Sequence, residues 1–266
     1  MSALSERLDQ IEAEGRAALI GYLPVGFPDV NTSIRAMVAM VEEGMDIVEV
    51  GPPYSDPVLD GPVIQLAVAR ALEGGVRLAD TFRAVNAIAD AGAVPVVMSY
   101  YNPMLQFGLE RFATEIAAAG GAGVITPDLT PDVGPEWIDA ARAAGVDTIF
   151  LVAPSTTKER MHLTVGASTG FVYATPVMGV TGERATVGEA AERVVREARE
   201  AGAARVCVGV GVSTREQAAQ IGRFADGVIV GTALLRCLTE AATPDEGIEA
   251  LRVRVRELVA GVREAR

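Results

Sequence analysis

One histidine, one lysine, one tryptophan and two cysteines in 266 residues close off several kinds of chemistry before any pattern is sought. A zinc site takes several His or Cys ligands, and His162 with Cys207 and Cys237 is a poor supply. A Ser-His-Asp triad would have to turn on His162, which has no nucleophile elbow beside it. A Schiff-base mechanism would rest on Lys158, set in the polar stretch Thr156-Thr157-Lys158-Glu159-Arg160, where nothing activates an amine. Basic residues are short as well: 23 against 35 acidic ones leave a net charge of −12. Nucleic acid is an improbable partner for such a chain, because phosphate backbones demand clustered Lys and Arg. An anionic substrate would have to be held by local dipoles instead. Long apolar runs are missing too, the best candidate being the nine residues 227–235, which include glycines. The segment 1–10 carries Glu6, Arg7 and Asp9 and does not read as a signal peptide. Two cysteines in apolar surroundings do not suggest a disulfide framework. The expectation is a soluble, cytoplasmic protein that touches neither membrane nor nucleic acid.

What is present is an alternation. Half the residues are apolar, enough for a sizeable core. Short β-branched runs at 18–23, 46–50, 95–98, 123–125, 148–152, 170–173, 205–208 and 227–230 read as strands, each followed by a helical pattern. Val30, Ile34, Met37, Val38 and Val41 keep to one helix face, as do Val194, Val195 and Ala198. Thr156-x-x-Glu159 and Ser213-x-x-Glu216 read as capping boxes. Eight βα units in a chain of this length predict an α/β fold, a (β/α)8 TIM barrel, over a doubly wound sheet as the alternative. An extra N-terminal helix over 2–14 would cap the lower end. No linker, repeat or low-complexity tract divides the chain, so residues 1–266 are expected to form one domain.

The most informative residue is Glu49, inside the apolar run Ile47-Val48-Glu49-Val50-Gly51. A lone carboxylate is costly in such a place and tends to protonate instead. A carboxyl group with a raised pKa at a strand end is a candidate general acid and base, the alternative being a structural ion pair. In a barrel the site lies at the C-terminal ends of the strands, which is where Glu49 falls. Asp56 and Asp60 follow in a long loop stiffened by prolines at 52, 53, 57 and 62. Either could hold a carboxylate over the mouth, and either could simply make a turn. Asp128 follows the fourth strand near the same mouth, as a catalytic, interfacial or structural residue.

Glycines collect after the last three strands: Gly179-Val180-Thr181-Gly182, Gly209-Val210-Gly211-Val212-Ser213 and Gly231-Thr232. Glycine lets backbone N–H groups approach an anion, and a helix N-terminus adds favourable potential, so a phosphate cradle competes here with plain turn geometry. Tyr22, Tyr100 and Tyr173 end or follow strands, and Met98 and Leu151 lie on them. Such residues could wall a pocket for a flat aromatic group, or could be ordinary barrel packing. Trp137, on an outer helix, reads as packing.

The segment from Glu49 to Pro62, together with Tyr101-Asn102-Pro103, Pro127-Asp128, Gly179-Val180-Thr181-Gly182 and the glycine loops over 209–232, resembles the tryptophan synthase alpha chain. The likeness runs in order from about residue 17 to about residue 235. It implies cleavage of indole-3-glycerol phosphate to indole and glyceraldehyde 3-phosphate, with no cofactor on this chain. Glu49 would then be the acid and base, with Asp60 its partner at the indole nitrogen. Thr181, Gly182, Gly211, Gly231 and Thr232 would bind phosphate. Tyr173 would accompany Glu49, and Tyr22, Met98, Tyr100 and Leu151 would meet the indole side. The resemblance also implies a pyridoxal-phosphate beta chain as partner, in an alpha2beta2 tetramer. Departures from the family pattern are Pro52 for an aliphatic residue, Val210 for an aromatic one, Thr232 for Ser, and Pro176 in the loop after the sixth strand.

Overall fold

The β-branched runs do form strands, and every strand pairing is parallel. A computed structural model describes residues 2–175 and 188–266. Its strands are β1 (Ala18–Pro24), β2 (Ile47–Gly51), β3 (Val94–Met98), β4 (Gly123–Ile125), β5 (Asp147–Ile149), β6 (Leu151–Val152), β7 (Val172–Ala174), β8 (Val206–Gly209) and β9 (Gly227–Val230). Their order in the sheet is β5-β4-β3-β2-β1-β9-β8-β7-β6. The two end strands, β5 and β6, are one stretch of chain broken at Phe150. On one side Thr126 N–H donates to the Ile149 carbonyl at 3.2 Å, and on the other Tyr173 N–H donates to the Phe150 carbonyl at 3.0 Å. The sheet's two edges thus belong to the same staff of chain, and the sheet closes on itself as a TIM barrel. The expected fifth strand is therefore split in two, and the other seven lie close to where the sequence puts them.

The helices are α1 (Ala3–Ala13), α2 (Val30–Glu42), α3 (Pro62–Glu73), α4 (Leu78–Asp90), α5 (Tyr101–Phe107), α6 (Leu109–Ala118), α7 (Pro135–Ala144), α8 (Lys158–Ala167), α9 (Gly188–Glu200), α10 (Arg215–Gly222), α11 (Thr232–Thr239) and α12 (Pro244–Arg263). Strand alternation sorts the core into two shells. Ala18, Ile20, Ile47, Val96, Ile125, Ile149, Phe171, Cys207 and Ile229 fill the barrel interior, where Leu4, Leu8 and Ile11 of α1 join them. Leu19, Val48, Val50, Val97, Val124, Val206 and Val228 face outward into the layer shared with the helices. Trp137 lies in that outer layer, edge-on to Phe112 with ring centroids 6.1 Å apart, as packing.

The expected N-terminal helix is α1, and polar contacts fix it beneath the barrel. The buried Asp46 carboxylate accepts from Arg16 at 2.6 and 2.9 Å, from Arg7 at 2.6 Å, and from the Leu19 N–H at 3.0 Å. Ser2 caps α1 and its hydroxyl donates to Asp147 at the foot of β5.

Three local expectations need correction. The caps of α8 and α10 are Thr157 and Thr214, each one residue later than the spacing suggested. Thr156 accepts instead from the Ala153 N–H, and Ser213 donates to Gln217. The buried face of α2 is Thr32, Ser33, Ala36, Met37, Ala39 and Met40, with Val30, Ile34 and Val41 only partly covered, because small residues let the helix lie close on the barrel. The face of α9 runs through Val194, Val195 and Ala198 as expected.

Candidate active site

Alternation along β2 turns Ile47 and Glu49 into the barrel and Val48 and Val50 out of it. Ile47 belongs to the apolar plug, so Glu49 is the first polar side chain above it, near the C-terminal end. Glu49 is 1% exposed, and among the described residues neither carboxylate oxygen has a hydrogen-bond partner. Burial without a partner disfavours the charged form and pushes its pKa up to about 8. Among the described residues Glu49 forms no ion pair. The group holds a proton at neutral pH and can give it away.

Two tyrosines flank it. Tyr22 on β1 is in register with Glu49, and Tyr173 on β7 pairs with Cys207 on β8. Each phenol leans across the neighbouring strand, over Gly51 and Gly209 respectively, where any Cβ would collide with the ring. Those two glycines leave the room that both phenol rings occupy. Burial raises both hydroxyls well above the ordinary tyrosine value, with Asp60 adding to the effect on Tyr22 and Glu49 to that on Tyr173. Met98 and Leu151 are half-buried at the ends of β3 and β6 and pack against the interior plug.

The loop after β2 separates two aspartates that turn chemistry alone leaves equivalent and of which the resemblance points to Asp60. Asp56 is exposed, accepting from the Ser55 hydroxyl at 2.6 Å. Asp60 is buried at 5% exposure beneath that loop, and its neighbour across the mouth is Tyr100. Burial lifts Asp60 to about 6, and a hydrogen bond from the Tyr100 hydroxyl holds it lower than burial alone would. Glu49 and Asp60 thus differ in protonation near neutrality, the pattern by which two carboxyls divide acid and electrostatic roles.

At the other side of the mouth, Gly211 follows β8 with a φ of +77°, a conformation that suits glycine. Gly231 is the N-cap of α11 and makes no side-chain cap, while Thr232 opens the helix with a buried side chain. The first N–H groups of a helix have no partner within it and favour an anion. Ser213 is not free to join them, because its N–H and hydroxyl both donate to Gln217 at 2.8 and 3.1 Å. Thr181 and Gly182, the other expected phosphate ligands, lie outside the described residues, as does Pro176. Lys158 and His162 are exposed on α8, remote from the interior plug. Among the described residues no group of three or more His, Cys, Asp or Glu could hold a metal ion.

Two participants went unnoticed in the sequence. Tyr54 lies with its ring centroid 5.4 Å from that of Tyr100 and accepts from Asn102 at 3.2 Å. The Leu59 N–H donates to the Tyr100 hydroxyl at 3.1 Å. An aromatic residue in a loop otherwise built of proline, aspartate and small residues was the available signal for the first. Asp128 is exposed and accepts from the Tyr101 N–H at 2.9 Å, holding the start of α5.

Residues 8–263 match the family model described as tryptophan synthase alpha chain. The chain belongs to the tryptophan synthase alpha chain family. A curated alpha chain from Mycolicibacterium paratuberculosis is 56% identical over 263 residues, covering 99% of this chain and 95% of that one. The alpha chain of Thermobifida fusca is 51% identical, covering 100% and 99%. Among solved structures, a chain of Mycobacterium tuberculosis tryptophan synthase superposes with a TM-score of 0.93 at 53% identity, covering 98% of each chain. The alpha-subunit of Pyrococcus furiosus, in a mutant form, superposes at 0.83 with 33% identity, covering 92% and 98%. As an alpha chain of this family, the protein is a carbon–carbon lyase that cleaves indole-3-glycerol phosphate in tryptophan biosynthesis, and a beta chain is implied as its partner. No helix among the described residues is long and apolar enough to cross a membrane.

Proposed function

We propose that Glu49 and Asp60 perform the cleavage between them. Breaking the bond between indole C3 and the glycerol side chain in retro-aldol fashion needs an electron sink, and the indole ring can serve once it is protonated. Glu49 gives a proton to C3, which turns the ring into an indolenine cation. The resulting carboxylate takes the proton of the hydroxyl on the adjacent side-chain carbon. That carbon becomes the aldehyde of glyceraldehyde 3-phosphate as the carbon–carbon electrons return to the ring and release indole. Glu49 ends protonated, as it began. Asp60, ionised, accepts from the ring N–H and stabilises the cation.

The observation that carries this reading is the buried Glu49 carboxyl, with neither oxygen engaged and its pKa lifted to about 8. Tyr22, Met98, Tyr100 and Leu151 would wall the indole, and Tyr173 would stand beside Glu49. Gly211, Gly231 and Thr232 would hold the phosphate together with Thr181 and Gly182. A positioned acid and base contributes about 10²–10⁴-fold, so Glu49→Gln is expected to lose at least that much turnover while binding substrate normally. Single-turnover cleavage and equilibrium binding of indole-3-glycerol phosphate test the two halves of that statement. Turnover within about tenfold of the parent would remove Glu49 from the role.

The beta chain would dock on the rim formed by the loops after β2, β3 and β4. Those strands are neighbours in the sheet, and Val58, Leu105 and Val133 in the segments that follow them are exposed. Two copies of each chain in an alpha2beta2 tetramer, a single domain over residues 1–266 and a cytoplasmic location complete the reading.

A further inference from the structure

We infer that Gln217 and Arg254 are positioning residues for the phosphate, acting through the turn that carries Gly211 rather than by touching the anion. The inference rests on the reading of Gly211 as a phosphate ligand given above and extends it. Gly211 has a φ of +77°, where glycine is at ease, and a glycine does little by itself to keep one orientation. Two residues further on, the chain is gripped from both sides. The amide oxygen of Gln217, the third residue of α10, accepts from the Ser213 N–H at 2.8 Å, from the Ser213 hydroxyl at 3.1 Å and from the Thr214 N–H at 3.3 Å. The Ser213 carbonyl accepts from the Arg254 guanidinium of α12 at 2.7 Å. The peptide planes before and after Ser213 are therefore both fixed, the first by Gln217 and the second by Gln217 and Arg254 together.

These contacts exceed what the start of α10 requires. A capping box needs only the reciprocal pair of Thr214 and Gln217, in which Thr214 accepts in turn from the Gln217 N–H at 3.3 Å. The bonds to Ser213 extend the grip by one residue toward Gly211. Val212, buried between them, holds the inner side of the turn. On the outer side a cavity of about 810 Å³ borders Ser213, Thr214 and Arg254, so polar contacts rather than packing hold the turn there. Arg254 also lies 3.4 Å from Glu257, but that pair is half-exposed and contributes little. A backbone N–H binds an anion only while the turn keeps it aimed, and the apparent affinity falls with the fraction of time spent in that arrangement. The phosphate keeps its charge throughout the cleavage, so the contact serves substrate and transition state alike.

Gln217→Met keeps the length of the side chain and removes the acceptor, and Arg254→Met removes the donor. Each is expected to weaken binding of glycerol 3-phosphate by the full chain about tenfold, the worth of one or two hydrogen bonds. The affinity for indole, which carries no phosphate, stays unchanged. KM for indole-3-glycerol phosphate rises by the same factor while kcat is kept, as expected when uniform binding is lost. Glu257→Gln, which removes the ion pair of Arg254 and leaves its carbonyl contact, binds both ligands as the parent does. Arg254 is half-buried at the surface, so Arg254→Met carries the test should Gln217→Met fail to fold. In the parent, the Gly211 amide resonance is followed as glycerol 3-phosphate is added. A resonance that moves, with folded variants that bind glycerol 3-phosphate as the parent does or lose both ligands alike, overturns the inference and leaves the role of Gly211 intact. A resonance that does not move removes the reading on which the inference stands.

Discussion

At the scale of single residues, the site stores a conflict between stability and chemistry. Glu49 is held without a partner in an apolar strand, a placement that costs folding energy whenever the group is charged. Its folded value is about 8 against an ordinary 4.5, so the folded chain keeps a proton that the unfolded chain releases. The contribution to stability is complete below about pH 4.5 and is lost as pH rises through about 8. At about 1.4 kcal/mol per pH unit the loss reaches about 5 kcal/mol at most. Glu49→Gln has no such proton to lose. It should therefore be more stable than the parent at pH 8 and close to it at pH 5, with thermal midpoints diverging between those limits. A gap that stays constant with pH would contradict the burial of an uncompensated carboxyl.

At the scale of elements, the underside of the barrel depends on one carboxylate as heavily as the mouth does. Asp46 gathers Arg7 from α1, Arg16 from the following turn and the Leu19 N–H of β1. Asp46→Ala leaves two arginines and an amide without their acceptor and should cost about 3–5 kcal/mol in denaturant unfolding, while leaving substrate contacts at the opposite end untouched. A loss below about 1 kcal/mol would mean that α1 is held by its apolar face alone. Most of the strands were legible because short β-branched apolar runs are a strong local signal for strands buried on both faces, and the break at Phe150 escaped it. Cap positions slipped by one because hydroxyls stand side by side at Thr156 and Thr157, and at Ser213 and Thr214. The covered face of α2 was misread because Ser33 and Ala36, rather than the larger Val30 and Ile34, make the close approach. Glu49 could be read from its neighbours, since acid in an apolar strand is a local contradiction. Local context alone does not tell Asp60 from Asp56, because both stand beside turn-forming residues; the family resemblance singles out Asp60, and tertiary burial separates the two. The Tyr100 contact joins residues 41 positions apart and leaves no trace in either segment.

At the scale of the molecule, the two ends of the barrel have separate duties. The lower end is closed by α1 with Arg7 and Arg16, and the upper end carries Glu49, the glycines proposed to hold phosphate and the exposed apolar side chains Val58, Leu105 and Val133. On the proposed docking surface, the loop that carries Asp60 would connect the partner to that carboxylate. Adding a beta chain and serine should raise glyceraldehyde 3-phosphate formation at least about tenfold, equivalent to about 1.4 kcal/mol of barrier, as read in a coupled assay. Unchanged turnover with a bound partner would separate docking from catalysis.

The whole scheme requires Glu49 protonated and Asp60 ionised in the same molecule. The most direct test is the pH dependence of kcat/KM for indole-3-glycerol phosphate cleavage by the full chain, which reports the free enzyme's acid and base. A bell with its acidic limb near 6, from Asp60, and its alkaline limb near 8, from Glu49, is the expected result. A profile that is flat from about pH 5 to about pH 9, or that keeps rising above 8, would contradict catalysis by this pair.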